Sequence, residues 1–248
     1  QALITKNPHN KDVLLPFLNA EDLNSRPDQS PRRWAINFYD WPLEIAELYP
    51  DCLEIVQQKV RPERQRKNDK GEYVLRKPLP QKWWIYGDKR PALYSTIANM
   101  NRVLAIPLVS KYMIASWEPT NIVLSHMLGV IATEADAHFA LIQSSFHDIW
   151  ARFYGSTLET RMHYTPTSCF ETFPFPTNTD ALESIGERYY NHRQSIMLSR
   201  QEGLTKTYNR FHTPSEPTPD IVQLRELHRE MDEAVARAYG WEDLRLEH

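Results

Sequence analysis

The 248-residue sequence is poor in the residues that build cofactor loops, disulfide frameworks and membrane spans. Its seven glycines are scattered and form no Gly-x-Gly motif, so no glycine-rich phosphate or dinucleotide loop is predicted. Cys52 and Cys169 stand far apart and outside any metal-ligand spacing, which argues against a disulfide framework or a zinc site. The longest apolar stretch, 103–113, is interrupted by Pro107 and Lys111 and is too short for a membrane span.

Patterns that identify catalytic sites are missing as well. A methyltransferase acting on exocyclic amines needs an Asn/Asp-Pro-Pro-Tyr/Phe type of motif, and Phe173-Pro174-Phe175-Pro176 lacks the preceding Asn or Asp. His138 and His147 are nine residues apart, which is not ligand spacing, and are interpreted as surface or core histidines. Residues 54–59 resemble the end of a metal-dependent nuclease motif only superficially. We therefore expect no catalytic residue, no metal and no cofactor in this chain.

The beginning of the sequence carries no sign of a targeting segment. Gln1-Ala2-Leu3-Ile4-Thr5 has neither an initiator Met nor the architecture of a signal peptide. We expect the chain to be part of a longer protein. The low cysteine content favours a reducing, cytoplasmic setting.

Positive charge is concentrated in one part of an otherwise acidic chain. The net charge is −3, yet eleven Lys and Arg face only four acids between Lys59 and Arg90. A local excess of this kind is typical of a phosphate-contacting segment. A solvated lysine-rich loop explains the same pattern equally well.

Hydrophobic patterning predicts an α+β protein. We expect a domain with a mixed, twisted β-sheet and packed helices over residues 1–176, followed by a small helical C-terminal region over residues 177–248. Short runs rich in aromatic and β-branched residues predict the strands. These are Trp34–Phe38, Cys52–Val56, Tyr73–Arg76, Lys82–Tyr86, Arg102–Pro107, Tyr112–Ser116 and Ile122–Leu128.

Helices are predicted from apolar spacing and from end signals. One apolar stripe from Phe139 to Phe153 predicts a core helix that begins near the capping-box-like segment 133–136 and ends at Gly155. A short helix is predicted over 41–48 and a charge-rich helical segment over 180–211. The last helix carries apolar residues on one face and ends at Gly240. Those residues are Ile221, Leu224, Leu227, Met231, Val235 and Ala238.

Several segments together resemble one family over nearly the whole chain. They resemble the region after the catalytic domain in large bacterial adenine-specific DNA methyltransferases, the single-chain restriction-modification enzymes of the MmeI type (type IIL/IIG) and their phage-defence relatives. The most specific match is Tyr164–Pro176. The other matching segments are Leu18–Asn24, Arg33–Phe38, Tyr39–Glu44, Val60–Arg64, Trp83-Trp84, His138–Ala151, Leu204–His212 and Ala238–Trp241.

This resemblance implies a target-recognition module that lacks the methyl-transfer site. In the parent enzyme, an upstream domain would methylate adenine N6 with S-adenosylmethionine, and the target base would be flipped out of the duplex. The implied partners of this chain are double-stranded DNA and the upstream methyltransferase domain, with no membrane.

Two groups of residues are candidates for DNA contact. Lys111, Tyr112 and Asn121 are candidates for base reading because of their position in the family pattern. Basic residues of the 59–90 segment are expected to contact the DNA backbone. They are Arg61, Arg64, Arg66, Lys67, Lys70, Arg76, Lys77 and Lys82.

Competing interpretations stay open at this point. Glu63 could orient an arginine in a local ion pair, which would make 61–64 a structural motif. The tryptophans Trp34, Trp41, Trp83 and Trp84 could stack on bases, although core packing is the favoured interpretation. Tyr164–Pro176 is expected to fix the chain as it leaves the sheet domain and is excluded from the DNA site.

Two other functions remain as alternatives. The chain could be a protein-interaction module whose last helix docks its apolar face on the catalytic domain, with DNA contacted elsewhere. A free-standing nuclease is the third possibility, and metal-dependent DNA cleavage would distinguish it.

Overall fold

The computed structural model describes residues 2–158 and 161–244, which form two compact units. Unit 1 comprises residues 1–17, 32–95 and 121–123, and unit 2 comprises residues 18–31, 96–120 and 124–248. The chain therefore passes between the units several times. The expected division at residue 176 stays a prediction.

Helices and short strands alternate along the chain, which confirms the α+β class. The strands are β1 Leu14–Leu18, β2 Arg33–Ile36, β3 Arg102–Pro107, β4 Val109–Ser110, β5 Ser116–Pro119, β6 Val123–Leu124, β7 Leu128–Ile131, β8 Ser156–Leu158 and β9 Arg161–His163. The helices are α1 Ala2–Lys6, α2 Ala20–Ser25, α3 Leu43–Ala46, α4 Pro50–Lys59, α5 Arg61–Arg64, α6 Pro91–Thr96, α7 Asp136–Gln143, α8 Ser145–Tyr154, α9 Pro166–Cys169, α10 Glu183–Arg200, α11 Leu204–Phe211 and α12 Pro219–Ala238. Short 3-10 helices occupy Pro8–Asp12 and Asp180–Leu182. None of the helices within the described ranges is long and apolar enough to cross a membrane.

Unit 1 is built on an antiparallel pair of strands and a small aromatic core. β1 pairs with β2 from Leu14↔Ile36 to Phe17↔Arg33. Phe38, Tyr49, Cys52 and Trp83 form part of the buried core behind this pair, with exposed fractions of 0–8%.

The strand predicted over Cys52–Val56 is wrong, because this segment lies within helix α4. Pro50 occupies the first turn, where its missing N–H costs no hydrogen bond, and Cys52 and Val56 then fall four residues apart on the buried face. The same four-residue spacing of apolar side chains fits one face of a helix. The strand predicted over Tyr73–Arg76 is also not formed, and only an isolated bridge joins Lys67 to Tyr73.

Unit 2 contains two small antiparallel sheets and most of the long helices. The first sheet has the order β5-β3-β7 and the second the order β4-β9-β8. All six strands of these two sheets are short, with two to six residues each. The strand predicted over Arg102–Pro107 is confirmed as β3, and its last five residues are buried.

The core of unit 2 joins the first sheet to the C-terminal helices. Leu104, Phe139, Tyr189 and Leu224, from β3, α7, α10 and α12, belong to one buried cluster. The predicted apolar face of the last helix is confirmed, since Ile221, Leu224, Leu227, Met231 and Val235 are all buried against this cluster.

The long core helix expected over the Phe139–Phe153 stripe is two helices. The chain is extended at Ser144, which caps α8 by accepting a hydrogen bond from the amide of His147 at 3.4 Å. Phe139 is fully buried on α7, but Ile149 and Phe153 on α8 are 66% and 78% exposed. The core interpretation is therefore correct for the first half of the stripe and wrong for the second.

The N-terminus of α7 is capped from another helix, and the expected capping box is not formed. The carboxylate of Glu183 on α10 accepts hydrogen bonds from the amides of Asp136 at 3.2 Å and Ala137 at 2.8 Å. The carboxylate of Asp136 instead accepts a hydrogen bond from the indole N–H of Trp117 at 2.9 Å. Gly186 permits the close approach of the two helices, because a Cβ there would lie 2.1 Å from the carbonyl oxygen of Asp136.

Candidate nucleic-acid interface

The most exposed basic part of unit 1 is the segment from Arg66 to Pro78, which we call the basic ribbon. All thirteen of its residues are exposed, and it contains five basic and two acidic side chains. Of the eight basic residues predicted to contact the DNA backbone, five belong to this ribbon. They are Arg66, Lys67, Lys70, Arg76 and Lys77.

The first part of the ribbon is a hydrogen-bonded hairpin. The amide of Val74 donates to the carbonyl of Arg66 at 3.0 Å, and the amide of Asn68 donates to the carbonyl of Glu72 at 2.8 Å. The turn closes with the amide of Gly71 donating to the carbonyl of Asn68 at 2.9 Å. Gly71 has φ +78°, a left-handed conformation that glycine adopts without steric cost.

The side chain of Asn68 fixes the turn from inside. Its Oδ1 accepts hydrogen bonds from the amides of Lys70 and Glu72, both at 3.0 Å. Asn side chains favour turns because they replace backbone acceptors in this way. The ammonium of Lys67 lies 5.2 Å from the centre of the Tyr73 ring across the hairpin. The ribbon is therefore ordered by its own contacts.

Both ends of the ribbon are fixed to the rest of unit 1. The Gln65 side chain donates to the carbonyl of Pro80 at 3.1 Å. The guanidinium of Arg64 is half-buried and donates to the carbonyls of Trp83 at 2.8 Å and Ile85 at 2.5 Å. These bonds hold the two ends of the ribbon side by side, and burial lowers the pKa of Arg64.

The 61–64 motif combines one anchoring arginine with one exposed arginine, and within the described residues neither forms the ion pair considered for Glu63. Arg61 donates to the side chain of Gln65 at 3.0 Å, and its guanidinium lies 5.1 Å from the centre of the Trp83 ring. The partners of Arg64 are main-chain carbonyls. An arginine with buried carbonyl partners positions the chain, while the exposed Arg61 keeps donors available to a ligand.

The remaining predicted backbone contact, Lys82, is exposed on unit 1. Seven of the eight candidates are thus exposed, and Arg64 is the exception. The geometry brings five of them together in the ribbon, with Arg61 and Lys82 near its two ends in sequence.

The base-reading candidates fall in different places. Asn121 is exposed and belongs to unit 1. Lys111 and Tyr112 belong to unit 2, where both donate to Oδ1 of Asn209, at 2.7 Å and 2.9 Å. The Tyr112 ring also stacks on His212 at a centroid distance of 4.7 Å. This pair therefore joins the β4–β5 connection to helix α11.

The tryptophans mainly pack inside unit 1, as expected. Trp83 is 8% exposed, and the indole N–H of Trp84 donates to the carbonyl of Trp41 at 2.9 Å. Trp34 is the exception, because 45% of its surface is exposed on strand β2. Core packing is thus confirmed for three of the four.

A cluster of Ser145, His228 and Asp232 in unit 2 was not apparent from the sequence. Ser145 Oγ lies 3.1 Å from His228 Nε2, and the same nitrogen lies 3.5 Å from Asp232 Oδ2. A catalytic triad needs the serine and the carboxylate on opposite ring nitrogens, so this arrangement cannot relay a proton. Asp232 Oδ1 accepts from the amide of Ser145 at 2.9 Å, and the cluster therefore caps helix α8.

His147 belongs to the core of unit 2. His147 is fully buried, and its Nε2 lies 3.0 Å from the hydroxyl of Tyr164, which confirms a core histidine. In the described part of the chain, its Nδ1 is buried without a hydrogen-bond partner. Burial lowers the pKa of His147 to about 3, so the ring is neutral.

Within residues 2–158 and 161–244, no group of His, Cys, Asp and Glu is arranged to hold a metal ion.

The fold and the ribbon together define an α+β domain with a surface suited to a polyanion. Residues 1–177 match the family model described as "MmeI, target recognition domain". Because the match covers more than half of the chain, the chain belongs to this family and is a target recognition domain. No curated protein matches it.

A solved structure of much lower sequence identity shares the fold. It is described as the structure of the type IIL restriction-modification enzyme MmeI in complex with DNA, and it is 20% identical with a TM-score of 0.69. The likeness covers 97% of this chain and 30% of that chain, so our chain spans about a third of the length of MmeI.

Proposed function

We propose that this chain reads a specific DNA sequence on behalf of a restriction-modification enzyme, and that the basic ribbon contacts the DNA backbone. The observation that carries the proposal is the fully exposed ribbon in a chain of the target recognition family. DNA carries a dense row of phosphates, and lysines and arginines that neutralise them release counterions. The related MmeI structure is a complex with DNA, which supports the same partner here.

The backbone contacts are assigned to the seven exposed candidates. They are Arg61, Arg66, Lys67, Lys70, Arg76, Lys77 and Lys82. Arg64 takes a different role, because its donors serve the carbonyls of Trp83 and Ile85. We expect substitution of Arg64 to weaken DNA binding by displacing the ribbon, and not by removing a direct contact with phosphate.

The base-reading assignment of Lys111, Tyr112 and Asn121 remains part of the proposal. Lys111 and Tyr112 share the carbonyl oxygen of the Asn209 side chain, and both are hydrogen-bond donors there. Base reading by either one requires it to exchange this bond for a base acceptor such as guanine O6. Asn121 is exposed and can offer both a donor and an acceptor.

The wider activity is assigned to the parent enzyme. We propose an upstream domain that methylates adenine N6 with S-adenosylmethionine, in a cytoplasmic restriction-modification or phage-defence system. The chain itself would bring no cofactor. Flipping of the target adenine requires the enzyme to be placed on its site first, which is the task of a recognition domain.

The alternative of a protein-interaction module loses its main support. It rested on an apolar face of the last helix that needed a partner. That face is buried against α7 and α10 within the same unit.

The salt dependence of DNA binding tests the role of the ribbon. We would measure binding of a 30-base-pair duplex by fluorescence anisotropy over a range of salt concentrations, for the unsubstituted protein and for Arg66→Gln/Lys67→Gln. Each lost phosphate contact should reduce the slope of log K against log salt by about 0.9, so the double variant should lose about two units.

The control is Lys206→Gln/Arg237→Gln, which removes two exposed positive charges from helices α11 and α12. It should leave the slope unchanged. Equal slopes and affinities for the ribbon variant and the unsubstituted protein would show that the ribbon is only a solvated loop.

A further inference from the structure

The tip of the basic ribbon is the turn that closes its hairpin. Asp69 and Lys70 occupy the turn between Asn68 and Gly71, and both are exposed. In the described part of the chain, neither of their side chains has a hydrogen-bond partner. The side chain of Asn68 is different, since its Oδ1 and Nδ2 both form hydrogen bonds within the hairpin.

The size of the hairpin selects one groove of the duplex. Neighbouring strands of a hairpin lie about 5 Å apart, and their side chains add to that width. The major groove of B-DNA is about 12 Å wide and admits a two-stranded ribbon, while the minor groove is about 6 Å wide. A hairpin of this size therefore fits the major groove and not the minor groove.

The presence of a carboxylate at the tip is informative. Asp69 would be repelled by phosphates, so a tip that served only backbone contact would be better without it. On the floor of the major groove, by contrast, the N4 amino group of cytosine donates a hydrogen bond to Asp or Glu. The neighbouring Lys70 suits the opposite partner, because guanine offers O6 and N7 as acceptors.

Rigidity at the tip adds to the discrimination. The two hydrogen bonds to Asn68 Oδ1 and the left-handed Gly71 fix the backbone on which both side chains stand. A pre-ordered turn loses little entropy on binding, so a mismatched base cannot be accommodated by simple rearrangement of the loop.

We propose that Asp69 and Lys70 read a G·C base pair in the major groove, with Asp69 accepting from cytosine N4 and Lys70 donating to guanine O6 or N7. This assignment rests on the proposed function. It moves Lys70 from the backbone contacts to base reading and leaves Arg66, Lys67, Arg76 and Lys77 of the ribbon as backbone contacts.

Selection from a randomised duplex library tests the assignment. The protein is incubated with the library at low salt, bound duplexes are sequenced over several rounds, and the consensus is compared among variants. Lys70→Gln and Asp69→Asn remove the charge at the tip while keeping similar shapes. Lys77→Gln is the matched control, an exposed lysine of the same ribbon outside the turn.

We expect the unsubstituted protein to enrich a consensus with at least one fixed G·C pair. In both tip variants the preference at that position should fall by roughly tenfold or more, while the other positions persist. Lys77→Gln should keep the consensus and lose affinity equally on all sequences.

Two results would overturn the assignment in distinguishable ways. An unchanged consensus in both tip variants would refute the role of the hairpin and leave the proposed function intact. Enrichment of no consensus by the unsubstituted protein would refute the proposed function, and the hairpin assignment would be refuted with it. Circular dichroism spectra and unfolding midpoints that match the unsubstituted protein would establish that the variants are folded.

Discussion

Arg64 and Arg66 look alike in the sequence and differ in the structure. Both lie in the basic segment, and both were predicted to contact the DNA backbone. Arg64 is half-buried and serves two carbonyls, while Arg66 is exposed at the start of the ribbon. The charge pattern identified the segment, but the carbonyls of Trp83 and Ile85 lie some twenty residues away in sequence. Sequence alone could not reveal that Arg64 contacts these carbonyls.

Substitution separates these two arginines. Arg64→Ala should lower the free energy of unfolding by about 1–3 kcal/mol, because it leaves two partly buried carbonyls without donors. Arg66→Ala should change stability by no more than about 0.5 kcal/mol and should weaken DNA binding. Urea denaturation and anisotropy measure the two effects. Equal stability of the two variants would argue against the anchoring role of Arg64.

Glu118 is a buried acid whose ionisation should affect stability. It lies on β5 in unit 2 and is 4% exposed. Burial raises its pKa from an ordinary 4.5 to about 8, against the opposing effects of the Ser116 hydroxyl and the Arg193 charge. Between these two values the folded protein holds a proton that the unfolded chain releases. The contribution of Glu118 to stability is therefore lost as the pH rises through this window.

Glu118→Gln removes that dependence. Relative to this variant, the unsubstituted protein should lose at most about 1.4 kcal/mol of stability per pH unit between about pH 5 and pH 7.5. Denaturant unfolding at several pH values measures the difference. Parallel pH profiles of the two proteins would contradict a raised pKa.

At the scale of elements, features set by local spacing were predicted more reliably than features that depend on distant residues. The apolar face of α12 repeats over five turns and was found correctly. The cap of α7 was predicted wrongly, because it is Glu183, which lies 47 residues from Asp136 in sequence. A local capping-box pattern at 133–136 could not show that a second helix supplies the acceptor.

Helix α8 shows where an apolar stripe misleads. The stripe from Phe139 continues in sequence across Ser144, but the backbone is extended there and the face of α8 turns away from the core. Ile149, Phe153 and Tyr154 are consequently exposed. Spacing alone assumes an unbroken helix, so it could not detect this change of direction.

The two halves of that stripe should respond differently to truncation. Phe139→Ala should cost about 3–5 kcal/mol, as expected for a fully buried aromatic side chain. Phe153→Ser should change stability by no more than about 0.5 kcal/mol, since its side chain is 78% exposed. Both are measured by denaturant unfolding. A large loss for Phe153→Ser would restore the core interpretation of α8.

For the whole molecule, the distribution of charge matters more than its sum. A net charge of −3 does not indicate a DNA-binding protein, yet an exposed ribbon on unit 1 carries a local excess of positive charge. The sequence located that segment and the family. It could not show that the ribbon is a closed hairpin, because this depends on the side chain of Asn68 and the anchors at Gln65 and Arg64.

As a recognition module, this chain should discriminate between DNA sequences. The most direct measurement is competition at about 0.15 M salt between a duplex carrying the selected consensus and a scrambled duplex of the same length and composition. We expect the consensus duplex to bind at least about a thousandfold more tightly, as it does with specific DNA-binding proteins. Equal affinities for the two duplexes would contradict it.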